Sequence, residues 1–524
     1  MRYYYHYKEK IQMNKRIVTT IVCLVLCVAL AIVFGFVLWP MLNEPADEQP
    51  KETVSLVNGE VEGSNGRVQM FPKVSSENVR SLLVSNENGE YKIIRRNNAL
   101  VIEGHEGLVL DQEKLIQMIV NAGYTLSTFR SEVTEADFEK YGLGEGQHIA
   151  YFELTTRADE VYTVYIGDRT LAGDGYYVRY PGRNAIYVLD NTIEKDLLGT
   201  VEYLVNTMIV YPADINAYIL VPEFLIMRDG VPYCAIEYLN PDKRSELAAA
   251  SVHRFSYPEN YNEYFAGDAY TSVLKLFANF VCDEVVSIEL GDDTLKSFGI
   301  DPEKPKYAVT YQTVLLDDNG TPSDVFPNAL FFSEKQKDDA GEFYYVAAPA
   351  FGIIGRVDSA RLAFLEYELD KFVSNYIFSV NINNVKTLSF KNKDLDVSFE
   401  LSGDTNETLS VVEKNSGFAP ETMDSFRDLW QVLLMIMHDG VSDISDDDKA
   451  VLLADDKNVM LEMTVITKAG NERVFKFYQY TDRRVFYTVN GDGEFYVTRT
   501  MIDKTIADIS RLLNGEPIDK DARF

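Results

Sequence analysis

The sequence predicts a strand-rich α+β protein, with a single N-terminal transmembrane helix followed by three tandem repeated α+β units built on antiparallel sheets. Three observations predict it. An uncharged apolar run covers Ile17 to Trp39. A tyrosine-rich pattern of short alternating strands then returns along the chain at near-constant spacing. Each stretch of strands is interrupted by a segment with apolar residues at helical period. At 524 residues the chain exceeds one ordinary core, and units of about 100 to 200 residues lead to three or four.

The elements follow in order. Residues 1–16 hold Arg2, Lys8, Lys10, Lys15 and Arg16 against one acid, Glu9, whereas "NEPADEQPKE" follows the apolar run. That asymmetry keeps 1–16 cytoplasmic and makes 17–39 the membrane crossing, for which about 20 apolar residues suffice. The bulk of the chain is then an extracellular ectodomain, held to the cell membrane in a single pass. A cleaved signal peptide is the competing reading; the length of the run and the lack of a nearby small-residue cleavage site weigh against it. Cys27 follows "LVL", which argues against a lipid-modified cysteine. Residues 40–75, rich in polar, Gly and Pro residues, read as a stalk.

Beyond residue 16, 45 bases face 80 acids, a formal charge of −35 that repels nucleic acid and anionic lipid. Only Cys234 and Cys282 lie past the apolar run, so this is no disulfide scaffold. They read as two buried thiols, with one bridge as the alternative.

The first unit, 76–211, opens with "VRSLLVSNENGEYKIIRRNNALVIEG", apolar runs broken by Asn and Gly as in hairpins. The second, 212–380, opens with "INAYILVPEFLIMRDGVPYCAIEYL", and the third, 381–515, with "VKTLSFKNKDLDVSFELSG"; 516–524 is a tail. One helix follows in each. Its apolar positions are Leu115, Ile116, Ile119 and Val120, then Val273, Leu274, Leu276 and Phe277, then Phe426, Leu429, Trp430, Leu433 and Leu434. Late strands complete each unit: "GYYVRYPGRNAIYVLD", "EFYYVAAPAFGIIGRVD" and "VFYTVNGDGEFYVT". An offset of 168 carries Tyr177 onto Tyr345, Ile186 onto Ile354 and Asp190 onto Asp358, and also "LVNTMIVYPADINAYIL" from Leu204 onto "FVSNYIFSVNINNVKTL" from Phe372, which predicts that each unit ends in a helix and the next begins with a strand.

The run "YGLGEG…IAYFELTTRADEVYTVYIGDRTLAGDGYYVRYPGRNAIYVLD" resembles the domain of unknown function 4340 of bacterial membrane-anchored proteins. "FGIDPEKPKYAVTY" matches the same opening in the second unit, which has an insertion around "DDNGTPSDVFPN"; the third lacks the Tyr-Gly-Leu signature. The resemblance implies an extracytoplasmic protein found alongside ABC-type transport components of the gliding-motility kind. It brings no catalytic residues.

No constellation names a reaction. His6, His105, His148, His253 and His438 show no zinc spacing, and the cysteines none either. "YGLGEGQ" lacks the context of a phosphate loop and reads as a helix-to-strand turn. No Gly-x-Ser-x-Gly elbow occurs. "DISDDDKA", Asp443 to Ala450, has neither the glycine nor the glutamate of a calcium loop and reads as a solvated acidic loop. Carboxylate pairs suited to glycoside hydrolysis cannot be chosen among 81 acids. The expectation is therefore no catalytic, cofactor-binding or metal residues, no cofactor, and a non-enzymatic binding or scaffold protein of unknown ligand, accessory to an ABC-type transporter or envelope assembly. The alternative is a carboxylate-dependent envelope hydrolase.

Aromatics make up 12% of the chain, and the tyrosines can stack on a ligand or fill a core. With "PGRN", Pro181 to Asn184, as the loop, Tyr180 pairs with Ala185, Arg179 with Ile186, Val178 with Tyr187 and Tyr177 with Val188. Tyr177, Ile186 and Val188 then share an apolar face. Its counterparts are Tyr345, Ala347 and Ile354, interrupted by Arg356, and Tyr487, Val489, Phe495 and Val497, opposite Thr488, Asn490 and Thr498. Tyr177, Tyr345 and Tyr487 read as core residues with the hydroxyl at the rim.

Overall fold

The computed structural model describes residues 56–520 apart from 58, 65–66, 98, 211–218, 221–222, 240–251, 278, 318–321 and 421–422. It is a mixed α+β fold whose sheets are antiparallel. Among the described residues no helix is long and apolar enough to cross a membrane; the expected crossing, 17–39, lies outside them. Two compact units emerge. One holds the described residues before Ala99 with Ile116–Gly199, the other Ala99–Leu115 with the described residues from Thr200 on.

In the first unit, β1 (Val79–Asn86), β2 (Gly89–Arg96), β3 (Phe129–Glu132), β4 (Ala150–Thr156), β5 (Val161–Arg169), β6 (Gly175–Arg179) and β7 (Ala185–Asp190) lie in the order β2-β1-β4-β5-β6-β7-β3. Alternation buries Leu82 and Val84 of β1 and Phe152 and Leu154 of β4. The β6–β7 hairpin has the expected register, Tyr177 opposite Val188 and Val178 opposite Tyr187. Part of the expected stalk is packed instead. Val68, Met70 and Phe71 are buried, and two-residue strands at Val61–Glu62 and Val68–Gln69 pair in a small sheet with Leu126–Ser127. Polarity suggested a linker here, but Glu60 is tied inward by Arg130 at 2.9 Å and the Tyr187 hydroxyl at 2.6 Å. The "YGLG" stretch is a turn: the 3-10 helix Glu135–Tyr141 ends on Gly142 at φ 65°, a conformation that favours glycine.

The second unit holds two sheets. β8 (Glu223–Arg228), β9 (Val231–Tyr238), β10 (His253–Tyr257), β11 (Glu284–Ser287), β12 (Tyr307–Leu316), β13 (Pro322–Phe332), β14 (Gly341–Ala348) and β15 (Ile353–Asp358) run β10-β9-β8-β12-β13-β14-β15-β11. The other contains β16 (Val385–Lys391), β17 (Asp396–Ser402), β18 (Ser410–Glu413), β19 (Gly440–Val441), β20 (Val459–Thr467), β21 (Glu472–Gln479), β22 (Arg484–Val489) and β23 (Asp492–Thr498). Its order, β18-β17-β16-β20-β21-β22-β23-β19, retraces the same path. The β14–β15 register, Tyr345 opposite Arg356 and Val346 opposite Gly355, repeats that of β6–β7 at the offset of 168.

The interrupting helices are α1 (Gln112–Gly123), α2 (Asp268–Phe277) and α3 (Met423–Leu434). α3 buries Phe426, Leu429, Trp430 and Leu433 as expected, and Val432 besides, while Leu434 is half-buried. In α1 the stripe is rotated: Leu115, Met118, Ile119 and Ala122 are buried while Ile116 is exposed, because Met and Ala serve as core residues that a stripe of branched apolars passes over. In α2 Tyr270 joins Val273 and Phe277, while Leu274 and Leu276 are only half-buried. "DISDDDKA" is a correction. Asp446–Ala454 is a helix, α4, capped by Ser445, whose side chain accepts from Asp448 N, so three aspartates occupy its positive end. α5 (Arg499–Leu513) follows β23.

Tyr177 and Tyr345 are half-buried, each packed on its core: Tyr177 beside Phe138, Leu143 and Ile186, and Tyr345 beside Leu295, Ala347 and Ile354. Arg356 does interrupt that face, with Asp338 at 2.7 Å and Glu284 at 3.6 Å. Tyr487 departs from expectation. Its residue is fully buried and its hydroxyl, expected at a rim, finds no partner among the described residues. The face opposite it is covered as well, at Phe486 and Thr488.

Candidate functional site

A polar concavity of the second unit arises where its two sheets are joined. Between them runs Phe372–Phe378, in which Phe372, Val373, Ile377 and Phe378 are buried while Asn375 and Tyr376 are exposed. This segment pairs on both sides. Ser374 N donates to Phe265 O at 2.8 Å and Gly267 N to Phe372 O at 2.8 Å; further along, His438 N donates to Asn375 O at 2.9 Å and Ile377 N to Ile436 O at 3.2 Å. The linker is therefore a strand shared by the two halves.

The same construction occurs at Leu204–Val210. Asn206 N donates to Val109 O and Asp111 N to Leu204 O, at 2.8 and 2.9 Å; Cys282 N donates to Thr207 O at 2.7 Å and Ile209 N to Phe280 O at 3.0 Å. The bridges Leu110–Val205 and Met208–Val281 correspond to Ala266–Val373 and Tyr376–Met437, with the linker residues again 168 apart.

At the second junction a cavity of about 510 Å³ is lined by Asp268, Asp370, Lys371, Tyr376, His438 and Asp439 among others. Three carboxylates thus face one ammonium. The His438 ring lies 4.4 Å from that of Phe495, and both its nitrogens are buried without a hydrogen-bond partner among the described residues. Burial pushes its pKa below the ordinary value, against the opposing pull of the Ser374 backbone and the carboxylates of Asp370 and Asp439, so the neutral ring is favoured.

Deeper in the junction, Arg473 of β21 is 5% exposed. Its guanidinium donates to the Glu263 carbonyl, lies 3.4 Å from the Glu263 carboxylate and stacks near the rings of Phe265 and Phe475. Glu494 gathers Asn260 at 2.8 Å and Lys449 at 3.0 Å, and its backbone N–H donates to the Tyr264 hydroxyl at 3.1 Å. These contacts tie the segment after β10 to the second sheet beside the cavity.

Elsewhere the residues singled out in the sequence are not brought together. Among the described residues no group of three or more His, Cys, Asp or Glu is placed to hold a metal ion. His148 packs at a tilt against Tyr165, and His253 meets Tyr270 edge to face. Cys234 and Cys282 are free, buried thiols, each pushed up to about 12 by burial. Asp196 is the one described carboxyl with a raised pKa; burial raises it, Asn121 donates to it, and it lines neither the junction cavity nor the two described next. A cavity of about 740 Å³ lies on α3 beside Trp430 and Arg427, and one of about 660 Å³ at the "PGRN" loop beside Arg130 and Arg183. In the latter Arg130 is already paired with Glu60 and Glu132, and Arg183 donates to the Tyr187 hydroxyl at 3.5 Å.

The junction was missed as a site because its lining comes from three distant stretches. A signal for it existed in the offset that carries Leu204–Val210 onto Phe372–Phe378.

A family model described as a domain of unknown function (DUF4340) matches residues 101–217. The quoted stretch from Tyr141 to Asp190 that carries the resemblance lies wholly inside this match. Neither a curated protein nor a solved structure matches the chain.

Proposed function

We propose that this chain is a membrane-anchored extracytoplasmic binding or scaffold protein, made of three tandem copies of one α+β unit and held in the membrane by Ile17–Trp39. It serves as an accessory of an ABC-type transporter or envelope assembly. The observation that carries the reading is the pair of linkers, Leu204–Val210 and Phe372–Phe378, which make the same hydrogen bonds at one constant offset. A backbone joint conserved between copies, while the side chains around it differ, suits a protein whose repeated element is its architecture. The charge asymmetry around the apolar run supports the topology.

Two measurements test it. External protease added to wall-stripped cells should digest everything beyond about residue 43, and purification of the intact chain from mild detergent should bring down a membrane transport component. Protection of the C-terminal region overturns the topology. Turnover of an envelope glycan that disappears on substituting one carboxylate, with folding intact, replaces the scaffold by the hydrolase reading.

A further inference from the structure

The two junctions share a backbone but differ in what fills them. At the first, Arg361 projects from the segment after β15 into the junction: one guanidinium nitrogen lies 3.0 Å from the Asp283 carboxylate, the other donates to the Val281 carbonyl at 2.8 Å, and the plane sits over Phe280. Lys114 fills the other side, donating to the Tyr203 carbonyl at 2.9 Å over the Tyr203 ring. Both cations belong to the chain itself.

The hydrogen bonds identify the equivalents at the second junction. His438 N meets Asn375 O as Cys282 N meets Thr207 O, and Asp439 N meets Tyr496 O as Asp283 N meets Arg356 O. Met437 and Asp439 therefore stand where Val281 and Asp283 stand. Among the described residues no guanidinium reaches them. Arg361 lies five residues past Arg356, and the residue five past Tyr496 is Met501. Among the described residues nothing donates to the Met437 carbonyl or the Asp439 carboxylate. Where Arg361 and Lys114 occupy the first junction, the second holds the cavity of about 510 Å³, whose lining includes Asp268 and Asp370 as well as Met437 and Asp439.

We propose that the cavity of the second junction binds a guanidinium group from outside the chain, with the Asp439 carboxylate and the Met437 carbonyl as its ligands. The planar fork matches that pair, as Arg361 demonstrates on Asp283 and Val281. Asp268 and Asp370 supply a field that draws a cation in, and the volume accepts an arginine-sized stem. This rests on the equivalence of the two junctions; it gives the binding role a chemical class of ligand.

The test is calorimetric titration of the full chain in detergent at low salt and pH 7.5 with Nα-acetyl-arginine methylamide, its neutral citrulline analogue, and the tripeptide acetyl-Ala-Arg-Ala-amide. The arginine compound should bind with a dissociation constant on the order of 1 mM, and the citrulline compound at least about tenfold more weakly. Asp439→Asn should weaken binding about tenfold or more with an unchanged circular dichroism spectrum, whereas Asp439→Glu should retain most of it. Tighter binding of the tripeptide assigns the guanidinium to a peptide partner; equal binding assigns it to a free guanidino compound. No saturation by on the order of 20 mM, equal affinity for the citrulline analogue, or an Asp439→Asn chain that binds undiminished overturns the proposal. The readout uses purified protein and is independent of membrane topology, so its failure leaves the anchoring reading untouched, and the protease test can fail without it.

Discussion

Replacing Tyr487 by phenylalanine should stabilise this protein. The ring is fully buried, with Phe477 at 6.1 Å and Tyr264 at 6.5 Å, and it fills the face of β22 that also carries Val489. Its hydroxyl is buried without a partner among the described residues, and burial raises its pKa well above the ordinary value. A buried, unmatched donor costs about 1–3 kcal/mol, whereas losing one oxygen from a packed wall forfeits only a few contacts. The net expectation is a gain of about 1–2 kcal/mol. Tyr487→Ala removes the ring and should cost about 3–5 kcal/mol. The chain has two tryptophans, and Trp430 packs 5.2 Å from Phe378 beside the same sheet. In a Trp39→Phe background, its fluorescence during urea unfolding therefore reports on the half of the molecule that holds Tyr487. An upward shift of the midpoint at unchanged slope is the expected result. A Phe variant less stable than the parent by about 1 kcal/mol or more would falsify the reasoning, since it means the hydroxyl is bonded.

Arg473→Ala should cost about 3 kcal/mol in the same assay, because it strands Glu263 at the junction, while Arg473→Met, which keeps the volume, should cost less. Glu413 is held by the Ser416 hydroxyl and N–H and by Asn415 N–H, which lower its pKa from 4.5 to about 2. Because the folded value is the lower one, its stabilisation is complete above pH 4.5 and fades as pH falls toward about 2; Glu413→Gln should flatten that part of an acid titration. With Cys23 and Cys27 replaced by serine, iodoacetamide at pH 8 should leave native chains unmodified and label two thiols in urea, since Cys234 and Cys282 are buried and pushed up to about 12. Labelling of the native chain at the unfolded rate contradicts that burial.

The sequence by itself determined what local spacing encodes. Alternation and turn residues set the register of Tyr177 opposite Val188, and the period of Phe426, Leu429, Trp430 and Leu433 set the buried face of α3. A one-residue slip would turn every side chain to the wrong face, so such patterns are legible before folding. Tertiary structure decided what depends on residues far apart in the chain. It made Val68–Phe71 part of a core rather than a stalk, because Glu60 meets Arg130 and Tyr187. It turned the aspartates after Ser445 into a helix terminus, where capping decides over charge repulsion. It covered β22 on both faces, burying the Tyr487 hydroxyl that alternation alone assigns to a rim. Most of all it decided which junction is filled: Arg361 lies 78 residues from Asp283, and only the fold brings a guanidinium to one carboxylate while none of the described residues brings one to Asp439. A charge pair across such a separation leaves no periodic trace in sequence, since its energy depends on distance in space and on desolvation, both set after the strands have paired.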